Sequence, residues 1–265
     1  MKVGALINSQ SRKGFPLVNR PPNRDNTPTV NSLVKLKFMS DAQQPPNSAA
    51  AELPAHLAPY AQQVDALIEV GQIFWQRGWS VGTSSNYSAV VNRDPLQLLV
   101  TASGKHKGRL TRADFVLVDA EGQPTSVAQP KSSAETLLHC VAAEQAGAGA
   151  VLHTHSVWST VLSDRFAPQG GILLEGYEML KGLSGVTTHE HAEWLPIFDN
   201  TQDIPELAER VRAALRDTER PLAHAYIIRR HGIYTWGEDI DAAFRQIEIV
   251  EFLLECLGRS ALLGS

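Results

Sequence analysis

Cysteine is nearly absent from this chain. Of its 265 residues only Cys140 and Cys256 are cysteines, and neither stands in a C-x-x-C or paired spacing. A disulfide framework and a cysteine-based zinc knuckle are therefore excluded, and a reducing, cytoplasmic setting is expected. No window approaches the ~18 consecutive apolar residues of a membrane span, and the positive charges near the N-terminus are not followed by the apolar stretch of an export signal. A soluble, unexported protein without a membrane partner is expected. Basic residues are scarce beyond the first segment: residues 1–38 hold seven Lys or Arg against one acid, and with an overall charge of −4 this leaves −10 for residues 39–265. So acidic a body argues against nucleic acid as the main partner.

Periodicity is also missing at the start. The first 58 residues hold about half of the prolines and Asn- and Gln-rich runs such as NRPPNRDNTPTVN and AQQPPNS, with no sustained spacing of 3.6 or 2. Residues 1–58 are expected to be a disordered leader, and residues 59–265 a single folded domain. Met39 opens MSDAQQPPNS like a natural start, so residues 1–38 read as an upstream extension or a basic tail without a folded role. A basic nucleic-acid arm is the weaker alternative.

What is present is ordinary globular material, 43% hydrophobic and 20% charged, enough for a sizeable core. Val64, Leu67, Ile68, Val70, Ile73 and Phe74 fall near helical spacing ahead of Gly78, which predicts a first amphipathic helix. VVNR and LQLLV, separated by Asp94-Pro95, and the run Asp114–Asp119, closed by Glu121-Gly122, read as neighbouring antiparallel strands. Ser133–Ala146 reads as a helix with a capping box between Ser132 and Glu135 and an exit at Gly147. AVLHTH follows as a strand, and a helix is expected to begin at Ser156-Val157. Further on come a helix over Glu175–Lys181, a strand-rich stretch from Val186 to Phe198, and a helix over Ile204–Arg216. Strands over His224–Arg230 and Ile233–Trp236 and a long helix over Ile240–Leu257 complete the chain. The pattern predicts one α/β sandwich with a mixed or antiparallel sheet.

Side chains alternate across a strand, so His153 and His155 project from one face with Cα atoms about 6–7 Å apart, close enough to reach one ion. His231 follows the apolar strand AYII and Arg229-Arg230, and is the best candidate for a third ligand. Three neutral imidazoles with an open fourth position make a catalytic type of zinc site. His189-Glu-His191 offers a competing pair that spacing does not separate from the first. His139 lies one helical turn after Glu135, so the two either face the same site or form an i,i+4 contact.

SSNYSA (84–89), TASGKHKGRLTRADFVLVD (101–119), SSAETLLH (132–139), GAGAVLHTHS (147–156), EGYEMLKGL (175–183) and RRHGIYTWG (229–237) together resemble the class II aldolase/adducin superfamily. SGKHKG, EMLKG and RRHGIYTWG narrow the resemblance to its dehydratases of the methionine salvage pathway. It covers about Tyr60 to Gly258 and implies a class II aldolase-like α/β sandwich, a central mainly antiparallel sheet flanked by helices. The implied activity is zinc-dependent dehydration of 5-methylthioribulose 1-phosphate, a lyase reaction; a class II sugar-phosphate aldolase or 4-epimerase is the alternative.

By the same resemblance one zinc ion per subunit is held by His153, His155 and His231, which demotes His189 and His191 to neighbours. Glu178 is the implied catalytic acid/base, and Glu135 a second catalytic carboxylate that contacts zinc or transfers protons. The substrate phosphate falls to Ser84, Asn86, Ser103, Gly104, Ser132 and Ser133, where hydroxyls and N–H groups at loop or helix starts suit a dianion. Lys105 and Lys107 add positive charge nearby but read as solvated loop lysines. A homotetramer with sites near subunit boundaries is the implied assembly.

Overall fold

Val64, Leu67, Ile68, Gly71 and Phe74, three and four residues apart, form the buried face of helix α1 (Ala61–Gln76). The helix ends as expected at Gly78, whose φ of +76° lets its N–H reach Trp75 O while the Trp79 N–H bonds back to Phe74 O. This computed structural model describes residues 52–220 and 222–264.

The remaining helices are α2 (Thr136–Gln145), α3 (Val157–Phe166), α4 (Ile204–Arg216) and α5 (Ile240–Leu263). The strands are β1 (Asn86–Arg93), β2 (Leu96–Thr101), β3 (Phe115–Val118), β4 (Ala150–Thr154), β5 (Gly171–Glu175), β6 (Ala192–Phe198), β7 (Ala225–Ile228) and β8 (Gly232–Gly237). They form a sheet in the order β3-β2-β1-β4-β8-β7-β6-β5. Every neighbouring pair is antiparallel except β6 with β7. The expected α/β sandwich with a mainly antiparallel central sheet is thus the observed one.

Strand β4 is buried along its whole length because both faces of the sheet are covered. On one face Leu152 and Ile233 share a core with Ile247, Val250 and Leu254 of α5. On the other, Val151, Tyr226, Tyr234 and Trp236 pack with Leu138 and Val141 of α2 and Leu207 and Val211 of α4. Each such side chain contributes roughly 1.5–3 kcal/mol on burial. Alternation along this strand therefore turns His153 toward the α2 side and Thr154 toward α5.

Several boundaries differ from expectation. Helix α2 starts at Thr136, and the capping box does not form: Ser132 Oγ donates to Gly122 O, while the Glu135 carboxylate turns to Asn86 and His231. Residues 175–181 are not one helix. Glu175 ends β5, Gly176 takes φ +77°, and only a 3-10 turn at Glu178–Gly182 follows. The strand expected from Val186 begins at Ala192, and α5 runs past Leu257 to Leu263. The expected leader lies outside the described residues up to residue 51; of its last part, Leu57 is buried within the 3-10 helix Ala55–Tyr60.

Candidate metal centre and active site

His153 lies in β4 opposite Asn86 of β1 and Tyr234 of β8, and His155 stands just past the strand end. His231 occupies the tight β7–β8 turn, where Arg230 takes φ +53° and the His231 N–H donates to Ile228 O at 3.1 Å. The turn meets β4 closely because residue 232 is glycine: a Cβ there would lie 2.0 Å from Thr154 O. The three rings come together with centroids 4.5 Å (His153–His155), 4.5 Å (His155–His231) and 5.1 Å (His153–His231) apart. One ligand atom from each falls within 4.8 Å of the others, the arrangement expected for a shared ion.

The ring nitrogens suit that ion. His153 Nδ1 donates to Ile233 O at 2.9 Å, which leaves Nε2 without a proton, and this nitrogen lies 2.7 Å from His155 Nε2. Tyr234 stacks on the His153 ring at 3.9 Å and fixes its plane. Burial, then the neighbouring His155 ring, hold His153 well below its ordinary pKa against the pull of Glu135. Burial and His231 likewise lower His155 to about 4. Both are neutral near pH 7 and available as ligands.

Glu135 supplies a carboxylate beside them. Its Oε1 is 3.1 Å from His231 Nε2 and its Oε2 is 3.8 Å from His153 Nε2. Asn86 Nδ2 donates to Oε2 at 2.9 Å, Asn86 Oδ1 accepts from His139 Nε2, and Ser88 Oγ donates to His139 Nδ1 at 2.8 Å. Burial opposes ionisation of Glu135, but the bonds from His231 and Asn86 and the attraction of the histidine rings outweigh it, holding the carboxyl well below the usual range. His139 is thus linked to Glu135 through Asn86. Burial lowers its ring to about 4.

Most of the expected phosphate residues gather next to this group. A cavity of about 120 Å³ is lined by Ser84, Asn86, Ser103, Gly104 and Ser133, with Glu135 and His155 in its wall. A larger cleft of about 680 Å³ shares Ser103, Ser133 and Glu135 and adds Ser132 and His231. Ser85 and Gly104 turn the chain here with φ of +71° and +72°. The Asn86 amide is already committed to Glu135 and His139, and the Ser84 and Ser132 hydroxyls donate to Val81 O and Gly122 O.

Lys107 corrects the expectation of solvated lysines. It is 1% exposed, lines the smaller cavity, and donates through Nζ to Lys105 O at 2.8 Å. Gly71 and Gly108 allow this, since a Cβ at either would strike Lys107 O or the Trp75 ring. Burial lowers its pKa to about 8 against the carboxylates of Asp114 and Glu135. Lys105 is half-exposed and paired with Asp114 at 2.7 Å.

Glu178 is not brought to the histidines within the chain. Its side chain is 72% exposed, accepts from Lys181 Nζ at 2.6 Å, and lies 3.7 Å from His189. His191 belongs to a separate network, 2.8 Å from buried Glu193, which also lies 2.9 Å from His224. Sequence reasoning missed the Ser88–His139–Asn86 chain, the Tyr234 stack, and Glu251 of α5, whose Oε1 accepts from Thr154 Oγ1 at 2.7 Å. The available signal for Glu251 was an acid within the apolar stripe Ile247, Val250 and Leu254.

Residues 65–257 match the family described as Class II Aldolase and Adducin N-terminal domain. The methylthioribulose-1-phosphate dehydratase of Marinobacter nauticus is 49% identical over 200 residues, 74% of this chain and 93% of that protein. The methylthioribulose-1-phosphate dehydratase of Hahella chejuensis is 46% identical over 201 residues, 76% of this chain and 94% of its own. Among solved structures, L-fuculose-1-phosphate aldolase from Thermus thermophilus superimposes with a TM-score of 0.60 at 23% identity, covering 77% of this chain and 97% of that one. A sugar-phosphate aldolase from Thermotoga maritima gives 0.60 at 16% identity, covering 78% and 97%. These two likenesses bear on the fold.

Proposed function

The chain belongs to the class II aldolase and adducin family, among its methylthioribulose-1-phosphate dehydratases, and on that premise we propose that it dehydrates 5-methylthioribulose 1-phosphate to 5-methylthio-2,3-dioxopentyl 1-phosphate in methionine salvage. The observation that carries the reading is the convergence of the neutral His153 and His155 with His231 beside an anionic Glu135. Three imidazoles with a carboxylate at hand fit zinc, one ion per subunit. Zinc bound there supplies Lewis-acid stabilisation of negative charge on a ketone oxygen.

The reaction removes the C3 proton and the C4 hydroxyl as water, and ketonisation of the resulting enol completes the diketone. No oxidant is needed. One group must take a proton from C3 and one must deliver a proton to the departing hydroxyl. Glu135 lies against His231 and accepts from Asn86, which places it to stabilise charge and to contact the ion. Proton transfer then falls to Glu178. Its carboxylate is exposed on the single chain, and in this reading it serves the site of a neighbouring copy in a homotetramer with sites at its subunit boundaries.

Ser84, Ser103, Gly104, Ser132 and Ser133 face the phosphate in this reading, Lys107 supplies the buried positive charge, and Asn86 holds Glu135. Residues 59–265 act as one catalytic domain. Among the described residues no helix is long and apolar enough to cross a membrane, and Cys140 and Cys256 are unpaired; the proposed setting is the cytoplasm. Offering the purified protein methylthioribulose phosphate beside fuculose and rhamnulose phosphates tests the function. Diketone formation from the first is expected; release of an aldehyde without diketone would sink the dehydratase reading in favour of an aldolase.

A further inference from the structure

The ladder between β4 and β8 ends at the pair Thr154↔Ile233, so the sheet does not hold His155. Three contacts replace it. The His155 N–H donates to Trp79 O at 2.8 Å, the Ser159 N–H donates to Ser156 Oγ at 3.0 Å to cap α3, and Thr154 Oγ1 donates to Glu251 Oε1 at 2.7 Å. The third spans the core. Glu251 is 2% exposed among the apolar residues of α5, and its Oε2 has no hydrogen-bond partner among the described residues.

A carboxyl so placed is poorly explained by packing, because an apolar side chain in the same stripe avoids the desolvation of a half-satisfied acid. What the carboxyl does offer is an acceptor aimed at the one side chain between the two histidines. Alternation puts Thr154 on the α5 face while His153 and His155 point the other way, so fixing Thr154 fixes both rings from behind.

We infer that Glu251 is a positioning residue: by holding the Thr154 hydroxyl from the core side it keeps His153 and His155 at the separation at which both face one ion. This rests on the metal reading of the three histidines. It extends that site to a layer behind the ligands, and a contact that holds the residue between two ligands tunes metal affinity as other supporting contacts around a site do.

The test measures zinc affinity of the full chain by competition with a chelating dye, with the melting temperature of each zinc-free protein alongside. Thr154→Val and Glu251→Ala are expected to bind zinc about 10–100-fold more weakly than wild type, while Thr154→Ser and Glu251→Gln, which keep the hydroxyl and the acceptor, stay within about threefold. A Thr154→Val protein that melts lower yet binds zinc like wild type overturns the proposal, since the bond then serves the core alone. Should Glu251→Ala fail to fold, the two Thr154 variants decide the matter. Wild-type protein that binds no zinc refutes the metal reading itself, a result distinct from equal affinities in a zinc-binding series.

Discussion

Glu135 Oε1 lies 3.1 Å from His231 Nε2, so a residue at the start of α2 and one in the β7–β8 turn share a contact across the β4 strand end. The contact joins the histidine group to the cavity walls, because Glu135 also lines both the smaller and the larger space.

His153→Ala removes the buried ring that donates to Ile233 O and stacks on Tyr234. Loss of both bound zinc and activity is expected. Glu178→Gln, exposed in the single chain, should keep its zinc and lose roughly 10²–10⁴-fold in kcat, the usual scale of general acid–base catalysis. Metal analysis beside the dehydratase assay checks both, and wild-type turnover in Glu178→Gln would remove its assigned role.

Asn86 bridges Glu135 and His139 while 3% exposed. Asn86→Ala leaves His139 Nε2 without its acceptor and frees the Glu135 carboxylate. A stability loss of about 1–3 kcal/mol is expected from the stranded polar group, with kcat/KM reduced about 10–100-fold. Denaturant melts and steady-state kinetics read the two effects separately; a variant as active as wild type would show that Glu135 needs no holding.

Much of this was legible in the sequence where one local rule decides. The two-residue period of AVLHTH places His153 and His155 on one face, and the apolar stripe of Ile204–Arg216 matches α4 end to end. What was not legible depends on distant partners. Lys107 is buried because Gly71 and Gly108 admit its loop against α1, a contact that local composition does not reveal. The capping box fails because Asn86 and His231 compete for Glu135, and the expected Glu175–Lys181 helix fails because Gly176 turns the chain with a positive φ.

Lys107 carries the buried positive charge of the smaller cavity. Lys107→Met keeps the length of the stem and removes the charge. Loss of one charge-assisted hydrogen bond, about 1.5–3 kcal/mol, corresponds to a KM for the sugar phosphate raised about 10–100-fold. The change in kcat should be smaller than that in KM. Initial-rate kinetics over a wide substrate range measure it, and an unchanged KM would place the phosphate elsewhere.

Gly232 lets the His231 turn approach β4, and an added Cβ would meet Thr154 O at 2.0 Å and His153 Cε1 at 3.0 Å. Gly232→Ala must push the two strands apart or shift His153. A cost of about 1–3 kcal/mol is expected, lowering the melting temperature by roughly 2–12 °C, together with weaker zinc binding. Scanning calorimetry and zinc titration check the pair of effects, and wild-type values for both would mean that the contact is readily relieved.

Glu251 should also write a pH signature into stability. Burial raises its carboxyl to about 7, outweighing the hydrogen bond from Thr154 that lowers it. The folded chain therefore keeps a proton that the unfolded chain gives up near the ordinary carboxylate value. Between those two values the unfolded state binds fewer protons, so this group's contribution to stability is fully present at low pH and declines as pH rises toward 7. A shift of this size corresponds to roughly 3 kcal/mol at most. Glu251→Gln cannot ionise and lacks the decline, so its stability relative to wild type should rise from pH 5 to about pH 7 and level off above that in zinc-free protein. Chemical denaturation across that range measures the difference. A difference independent of pH would mean that the Glu251 carboxyl ionises as readily in the folded chain as in the unfolded one.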